Sequence, residues 1–332
     1  MASAPLLLTS GEPAGVAPEI TAAAWTALRD TPSCCFALLG DAAYWAARNP
    51  GLPVKAIASP AEAAACFASA LPVIDRPLAE HPVAGRISTK TAPQVIAAID
   101  EAVEMAFAGT VSGIVTNPIQ KDALYAAGFR HQGHTDYLAH LSAKAGHPVQ
   151  EVMMLVAEGL RAIPVTVHIA LKDVPAQLTG EAIIAQARVT AKDLTRYFGI
   201  ARPRLAFTGL NPHAGENGAM GREEIETIIP ALDVLRREGF DVKGPLPADT
   251  AFHAEARAGY DAILCMYHDQ ALIPVKTLDF HGGINVSLGL PFIRTSPDHG
   301  TALGIAGTQT ANPKSLIAAL KLAAQMVQAA RV

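Results

Sequence analysis

Cysteine is scarce in this sequence. Four residues, Cys34, Cys35, Cys66 and Cys265, occur among 332, and none stands in a C-x-x-C spacing. That removes the usual signature of a thiolate-held metal or a dithiol redox pair, and the thiols read as reduced and mostly buried, as in a cytoplasmic protein. Cys265 lies shortly before His268 and reads as a strand residue rather than a ligand. Charge of one sign is also missing. The 26 Lys and Arg stand against 30 Asp and Glu, for a net charge of −4, with no block of like charge. Nucleic acid therefore has no electrostatic footprint to bind. No run approaches the roughly 18 uninterrupted apolar residues of a membrane span. The opening MASAPLLLTSGEPAG has neither a basic n-region nor a long apolar stretch, so no secretory leader is expected. There is no GxGxxG after the first strand, no GxxxxGK[ST], no HExxH and no GxSxG. A Rossmann dinucleotide site, a P-loop, a zincin and an α/β-hydrolase all lose support. The GEPAG loop lacks phosphate-loop spacing, and no internal repeat, low-complexity tract or linker is visible.

What the chain has is apolar residue in quantity. Half of it is hydrophobic and only 17% is charged, in 332 residues. That is enough for a large core and for two domains sharing a cleft. PLLLTS reads as a first strand. Pro18 and Glu19 then open a helix, proline suiting the first turn and glutamate complementing the dipole. CCFALLG is a second strand, helix DAAYWAAR follows with Asp41 as N-cap, and VKAIAS is a weaker third strand. APQVIAAIDEAVEMAFAG has helical spacing and stops at Gly109. GIVTNP is a short strand and HTDYLAHLSAKAG a helix. VMMLVAEGLRAIPVTVHIAL holds two apolar runs around Glu158-Gly159, a hairpin, so the sheet is expected to be mixed. A helix over about 180–197, strand LAFTGL, helix REEIETIIPALDVLRREG and strand DAILCMY follow. A second hairpin-like pair in INVSLGLPFIRTS and helix NPKSLIAALKLAAQMVQAA close the chain. Such alternation predicts an α/β fold with a largely parallel sheet.

Three histidines each follow a strand-like run: His168 in IPVTVHIAL, His213 in GLNPHAGENG and His268 in MYHDQ. Ligands gather at the carboxyl ends of strands in α/β proteins, and imidazole is the commonest metal-ligating side chain. Three imidazoles with open coordination positions suit a catalytic divalent metal, Zn²⁺ first, with Mg²⁺ or Co²⁺ as alternatives. A single histidine is more often a core or surface residue. Three at equivalent topological points, each in a loop rich in Gly, Pro, Asn or Asp, favour the metal.

Other polar clusters fall in loops. TNPIQK, from Thr116 to Lys121, follows a strand. GHTDYLA begins a helix, so the backbone N–H groups near His134 and Thr135 suit an anion, a plain helix cap being the alternative. Asp249 in PADTAF and Lys276 in DQALIPVK have simpler readings as a turn aspartate and a surface lysine. Asn285 and Arg294 flank the apolar run of INVSLGLPFIRTS. An arginine buried there needs an anionic partner, and a phosphate or carboxylate ligand matches its planar, bidentate geometry.

GEPAGVAPE, TNPIQKDAL, GHTDYLA, GLNPHAGENGAMGREE, GPLPADTAF, MYHDQALIPVK and NVSLGLPFIRTSPDHGTA together resemble the 4-hydroxythreonine-4-phosphate dehydrogenase family, from about residue 5 to about residue 328. The resemblance implies the fold of isocitrate and isopropylmalate dehydrogenases: two α/β domains with a mixed, mostly parallel sheet and an active-site cleft between them. It implies NAD and a divalent metal as cofactors, with NADP as the alternative nucleotide. The implied reaction oxidises 4-phosphooxy-L-threonine to a β-keto acid, which loses CO₂ to give 3-amino-2-oxopropyl phosphate in pyridoxal 5′-phosphate biosynthesis. The implied assembly is a homodimer with active sites shared between subunits, binding neither nucleic acid nor membrane. Carried onto this chain, the resemblance makes His168, His213 and His268 the metal ligands, in agreement with the reading of the residues alone. His134, Thr135, Lys276, Asn285 and Arg294 match substrate-binding positions. Asp249 matches an active-site aspartate, and with Lys276 and His134 makes up the catalytic set, His134 or Lys276 being the candidate proton acceptor. Asp298, His299, Gly300, Thr301 and Ala302, with Gly307 and Asn312 downstream, match the cofactor loop.

Two positions depart from the family pattern. Glu12 replaces the aspartate of GDPAG. Gly304 stands where relatives carry the aspartate of HGTA-x-DIAG, an acidic position that in the wider fold holds the adenosine ribose. No basic pair is present there to hold a 2′-phosphate, so NAD remains the expected cofactor. Two other activities compete: a dehydrogenase of D-erythronate or D-threonate 4-phosphate, and a phosphate acyltransferase of related fold, which needs no three-histidine metal site. The expected domains are 1–130 with 286–332, carrying the cofactor loop, and 131–285, carrying the metal histidines and the dimer interface.

Overall fold

The computed structural model describes residues 4–331. Residues 1–3, part of the segment read as lacking a leader, and residue 332 lie outside the described residues. By their contacts the residues form two compact units. One runs to Val149 and resumes over Leu290–Arg331; the other is Gln150–Gly289.

The first unit opens with β1 (Leu6–Thr9), β2 (Phe36–Gly40), β3 (Val54–Ile57), β4 (Leu71–Asp75) and β5 (Gly113–Thr116). The second holds β6 (Val152–Ala157), β7 (Leu160–Pro164), β8 (Arg204–Thr208), β9 (Asp241–Leu246), β10 (Ala262–Cys265) and β11 (Ile284–Leu288). The chain then returns to the first unit with β12 (Arg294–Pro297). In the first unit the strand order is β3-β4-β2-β1-β5-β12, parallel throughout. Strands covered on both faces read as unbroken apolar runs, and LLLT, FALLG and GIVT are buried at every position. Helices 17–28, 92–107 and 314–329 belong to this unit. Its core joins Leu7, Leu39 and Ile114 to Ile99, Leu124 and Leu138.

In the second unit the order is β11-β6-β7-β10-β8-β9. β6 pairs antiparallel with both β11 and β7, and the remaining pairs are parallel. The expected hairpin is there. Glu158 at φ 44° and Gly159 at φ 83° make the tight turn, two successive left-handed residues being what such turns demand. The long helix Gly180–Phe198 is bounded as its sequence directs. The Thr179 side chain accepts from Ala182 N, and Gly199 closes the helix in the left-handed region at φ 68°. The sheet is thus mixed and mostly parallel, as expected.

Several expectations need correction. The first domain extends to residue 149 rather than 130, because helix His134–Lys144 packs into its core through Tyr137 and Leu138. The other division falls after Gly289 rather than residue 285, since all of β11 pairs with β6. The stretch read as a second hairpin-like pair is divided between the units, β11 pairing with β6 and β12 with β5. LPVID and DVKGPL form strands that the reading passed over. The helix expected from Arg222 begins with a π-turn over Glu224–Ile228 and becomes α-helical over Ile229–Arg237.

Candidate functional site

In the first unit, Arg294 opens β12 in register with Ile114 of β5 and is only 2% exposed. Its Nη2 donates to Thr116 Oγ1 at 2.6 Å. Burial pushes its guanidinium down to about 9, which leaves it cationic at neutral pH. His134 is the first residue of helix His134–Lys144 and Thr135 the second. Burial first, then the charges of Arg294 and Lys121, hold the His134 imidazole well below its ordinary value of 6.5. His134 is therefore neutral at physiological pH. Its buried Nε2 has no hydrogen-bond partner among the described residues. Two cations, a neutral imidazole and a helix N-terminus thus share one neighbourhood, a setting made for an anion.

In the second unit, His268 opens helix His268–Leu278 just past β10, and His168 lies just past β7. Their ring centroids are 5.7 Å apart. Both line a pocket of about 250 Å³ with Val167, Leu171 and Tyr267. His268 Nδ1 lies 2.7 Å from the Asp269 carboxylate. That contact orients the ring and would leave Nε2 to a metal, were one bound there. Two imidazoles are donors of the kind a divalent metal takes. Asp249 and Asp269 line an adjoining pocket of about 370 Å³. The Lys276 ammonium sits over the Phe280 ring at 5.5 Å. Asn285 Oδ1 is buried without a hydrogen-bond partner among the described residues. Cys265 is fully buried in β10, and burial pushes its thiol up, so it behaves as a strand residue.

His213 is placed apart from that pair. Among the described residues no group of three His, Cys, Asp or Glu is arranged to hold a metal within the single chain. Its side chain is 63% exposed. It sits in an unusual turn, His213 to Asn217, in which five successive residues are left-handed. Such backbone costs an L-residue roughly 1–2 kcal/mol. The buried Glu224 carboxylate holds the turn, accepting from Asn211 N at 2.8 Å and Asn211 Nδ2 at 2.9 Å.

The residues expected to form a cofactor loop follow β12 in the first unit. Asp298 N donates to Ser315 Oγ at 3.0 Å, His299 Nδ1 lies 2.9 Å from Gly300 O, and Thr301 Oγ1 donates to Gln120 Oε1 at 2.8 Å. Ala302 turns left-handed at φ 45° and Gly307 at φ 85°. Asn312 Oδ1 accepts from Lys314 N at 3.0 Å, starting the last helix. Much of the segment from Ala302 to Asn312 is exposed. Nothing lies within 4 Å of where side chains would stand at Gly300 and Gly304. An exposed backbone with that room fits a dinucleotide. The sequence reading left Lys121, Asp269 and Glu224 without roles. Lys121 and Asp269 were signalled only by their places in TNPIQK and MYHDQ.

The chain is 55% identical over 329 residues to the 4-hydroxythreonine-4-phosphate dehydrogenase of Caulobacter vibrioides, covering 98% of each. It is 52% identical over 342 residues to that of Bradyrhizobium diazoefficiens, covering 99% of this chain and 98% of the other. A solved 4-hydroxythreonine-4-phosphate dehydrogenase from Klebsiella pneumoniae superposes with a TM-score of 0.86 at 37% identity, covering 98% of this chain and all of that one. Fold, site and relatives define an oxidoreductase of the dehydrogenase class. The protein-family model described as pyridoxal phosphate biosynthetic protein PdxA matches residues 32–323, and the chain belongs to that family.

Proposed function

We propose that the protein is a cytoplasmic enzyme of pyridoxal 5′-phosphate biosynthesis. It oxidises 4-phosphooxy-L-threonine at its C3 hydroxyl, using NAD and a divalent metal. The resulting 2-amino-3-oxo-4-phosphooxybutanoate loses CO₂ to give 3-amino-2-oxopropyl phosphate. The observation that carries this reading is His134, a neutral, buried imidazole whose Nε2 has no hydrogen-bond partner among the described residues and which is flanked by the cations of Arg294 and Lys121. That arrangement suits a small phosphorylated acid.

His168, His213 and His268 would hold the metal, which supplies Lewis acidity at the substrate hydroxyl. The segment from Asp298 to Ala302, with Gly307 and Asn312, would hold NAD, which accepts the hydride. Arg294 binds the anionic end of the substrate, with Thr135 at the helix N-terminus, while Lys276 and Asn285 hold its other polar groups. His134 takes the hydroxyl proton. It is neutral, whereas a lysine ammonium must first lose a proton before it can accept one. Burial is the main cause of its depressed basicity, and a bound phosphate offsets the charges of Arg294 and Lys121 that add to it. Asp249 is assigned to the catalytic set with them.

The working unit is a homodimer in which His213 completes the metal site of the partner subunit. Exposed apolar side chains support this: Leu171 at 67%, Ile273 at 62% and Phe280 at 68% exposure, on the segments that also carry His168, His268 and Lys276. The test is NADH formation from three acids: 4-phosphooxy-L-threonine, D-erythronate 4-phosphate and D-threonate 4-phosphate. The reading expects the first to be strongly preferred. Equal or greater turnover of a sugar acid would replace it with the sugar-acid dehydrogenase.

A further inference from the structure

Glu19 is only 3% exposed, on the first turn of helix Ala17–Leu28, and it does more than complement the helix dipole. Its Oε1 receives the backbone N–H of Gly307 and its Oε2 that of Gln309, at 3.2 Å, from 288 and 290 residues away in sequence. Both acceptors therefore serve one turn, and that turn needs holding. Ala302, Gly307 and Gln309 all lie in the left-handed region, at φ 45°, 85° and 60°. Two of the three are not glycine, and such residues persist only where their surroundings over-determine them.

The carboxylate is itself fixed. Arg48 Nη2 donates to Glu19 Oε1 at 3.1 Å, and Nη1 donates to Pro13 O at 2.9 Å and to Tyr44 Oη at 2.8 Å. The GEPAG loop joins the same assembly. Val16 N donates to Thr301 O at 3.0 Å, and a side chain at Gly15 would stand 2.7 Å from that oxygen. Only a glycine allows this approach. All of these residues lie in the first unit.

We propose that Glu19, fixed by Arg48, is a positioning residue for the dinucleotide: it sets the backbone shape of the 302–310 turn against which the cofactor rests. This rests on the reading of that segment as the cofactor loop. It matters more in this chain than in relatives with an acidic side chain at the Gly304 position. Here the turn offers a ligand its backbone and no carboxylate at that point, so backbone shape decides what is offered.

The experiment compares the wild-type protein with Glu19→Gln, Glu19→Ala and, as a control on the loop itself, Gly304→Asp. Amide hydrogen exchange is followed by mass spectrometry, NAD binding by calorimetry, and KM and kcat by steady-state kinetics. Glu19→Gln keeps one acceptor oxygen and the side-chain shape, so it reports even where Glu19→Ala fails to fold. In both Glu19 variants exchange should quicken selectively in the peptide holding Gly307 and Gln309. NAD binding should weaken by about ten-fold or more, the worth of a charge-assisted hydrogen bond. KM for NAD should rise far more than kcat falls, and Glu19→Gln should be the milder of the two. A purely structural role would instead speed exchange throughout the unit and leave the binding constant of the folded fraction unchanged. If Gly304→Asp alters NAD affinity while the Glu19 variants do not, the clamp is wrong and the cofactor loop stands. If none of the three alters NAD affinity, the cofactor-loop reading falls, and the proposal with it.

Discussion

Arg294 donates to the Thr116 hydroxyl at 2.6 Å, from the start of β12 to the end of β5, with its guanidinium withdrawn from solvent. A buried cation is costly to desolvate, and an apolar side chain of similar volume in its place avoids that cost. Arg294→Met should therefore keep the melting temperature or raise it by a few degrees. It should also lower kcat/KM for the phosphorylated substrate by roughly 100-fold, as charge-assisted bonds to the anion vanish. Calorimetry and steady-state kinetics on the same preparation check both. A large fall in melting temperature would make Arg294 a structural residue.

The depressed His134 imidazole predicts a pH dependence of stability. Its folded value lies well below 6.5, the value assigned to it when unperturbed. Below about pH 6.5 the unfolded chain takes up a proton that the folded chain refuses, so stability falls as pH is lowered through that range. The loss is at most about 1.4 kcal/mol per pH unit for one proton. His134→Asn should flatten this limb of a plot of urea midpoint against pH between about 7 and 5. Inorganic phosphate should make it shallower in the wild type, because a bound anion offsets the charges of Arg294 and Lys121 that add to burial in depressing His134. An identical limb in wild type and variant would mean that His134 is not the group responsible.

Gly304 bears on nucleotide choice. The position is exposed, is free of steric neighbours within 4 Å and is not in the left-handed region, so an aspartate fits there without strain. Gly304→Asp should lower KM for NAD and raise KM for NADP, since a carboxylate accepts from ribose hydroxyls and repels a 2′-phosphate. A gain of about ten-fold in the NAD/NADP ratio is expected, with kcat little changed. An unchanged ratio would place the ribose elsewhere.

The shared site is tested by mixing. His213→Ala should be inactive, and Arg294→Met should retain only about a hundredth of the wild-type kcat/KM. His213→Ala should stay folded, because its side chain is 63% exposed. After subunit exchange at equal concentration, half of the dimers are mixed, and each mixed dimer carries one site with both residues intact. About one quarter of wild-type activity should return. No recovery despite proven exchange would put both residues on one chain.

How much of this was legible from the sequence depended on whether the signal was local. Apolar runs, Asp41 as a cap, the Glu158-Gly159 turn and the Thr179–Gly199 helix bounds were all visible, because each follows from neighbours within a turn or two. DVKGPL was not, because β9 is an edge strand, largely half-exposed, with a Gly-Pro pair that argues against a strand. LPVID was passed over although its four leading positions are buried; it is short and also holds a proline. Helix 134–144 was assigned to the wrong domain because only its contacts with helix 92–107, such as Tyr137 Oη to Asp100, reveal its allegiance. The proposed anion-binding trio was half legible. Arg294 and His134 carried motifs, but the neutrality of His134 follows from burial beside Lys121, which spacing does not encode. Glu19 looked like an ordinary first-turn acid, its partners being almost 290 residues away.

The central claim is metal-dependent oxidation of a phosphorylated hydroxy amino acid followed by loss of CO₂. Its most direct measurement is the yield of NADH and CO₂ from 4-phosphooxy-L-threonine by protein stripped with a chelator and then reloaded with Zn²⁺, Mg²⁺ or Co²⁺. The account predicts almost no NADH from the stripped protein. It predicts recovery with at least one of the metals, with NADH and CO₂ in equal amounts and 3-amino-2-oxopropyl phosphate as the remaining product. Full NADH formation by demonstrably metal-free protein, or no NADH from this substrate under any metal, would contradict it.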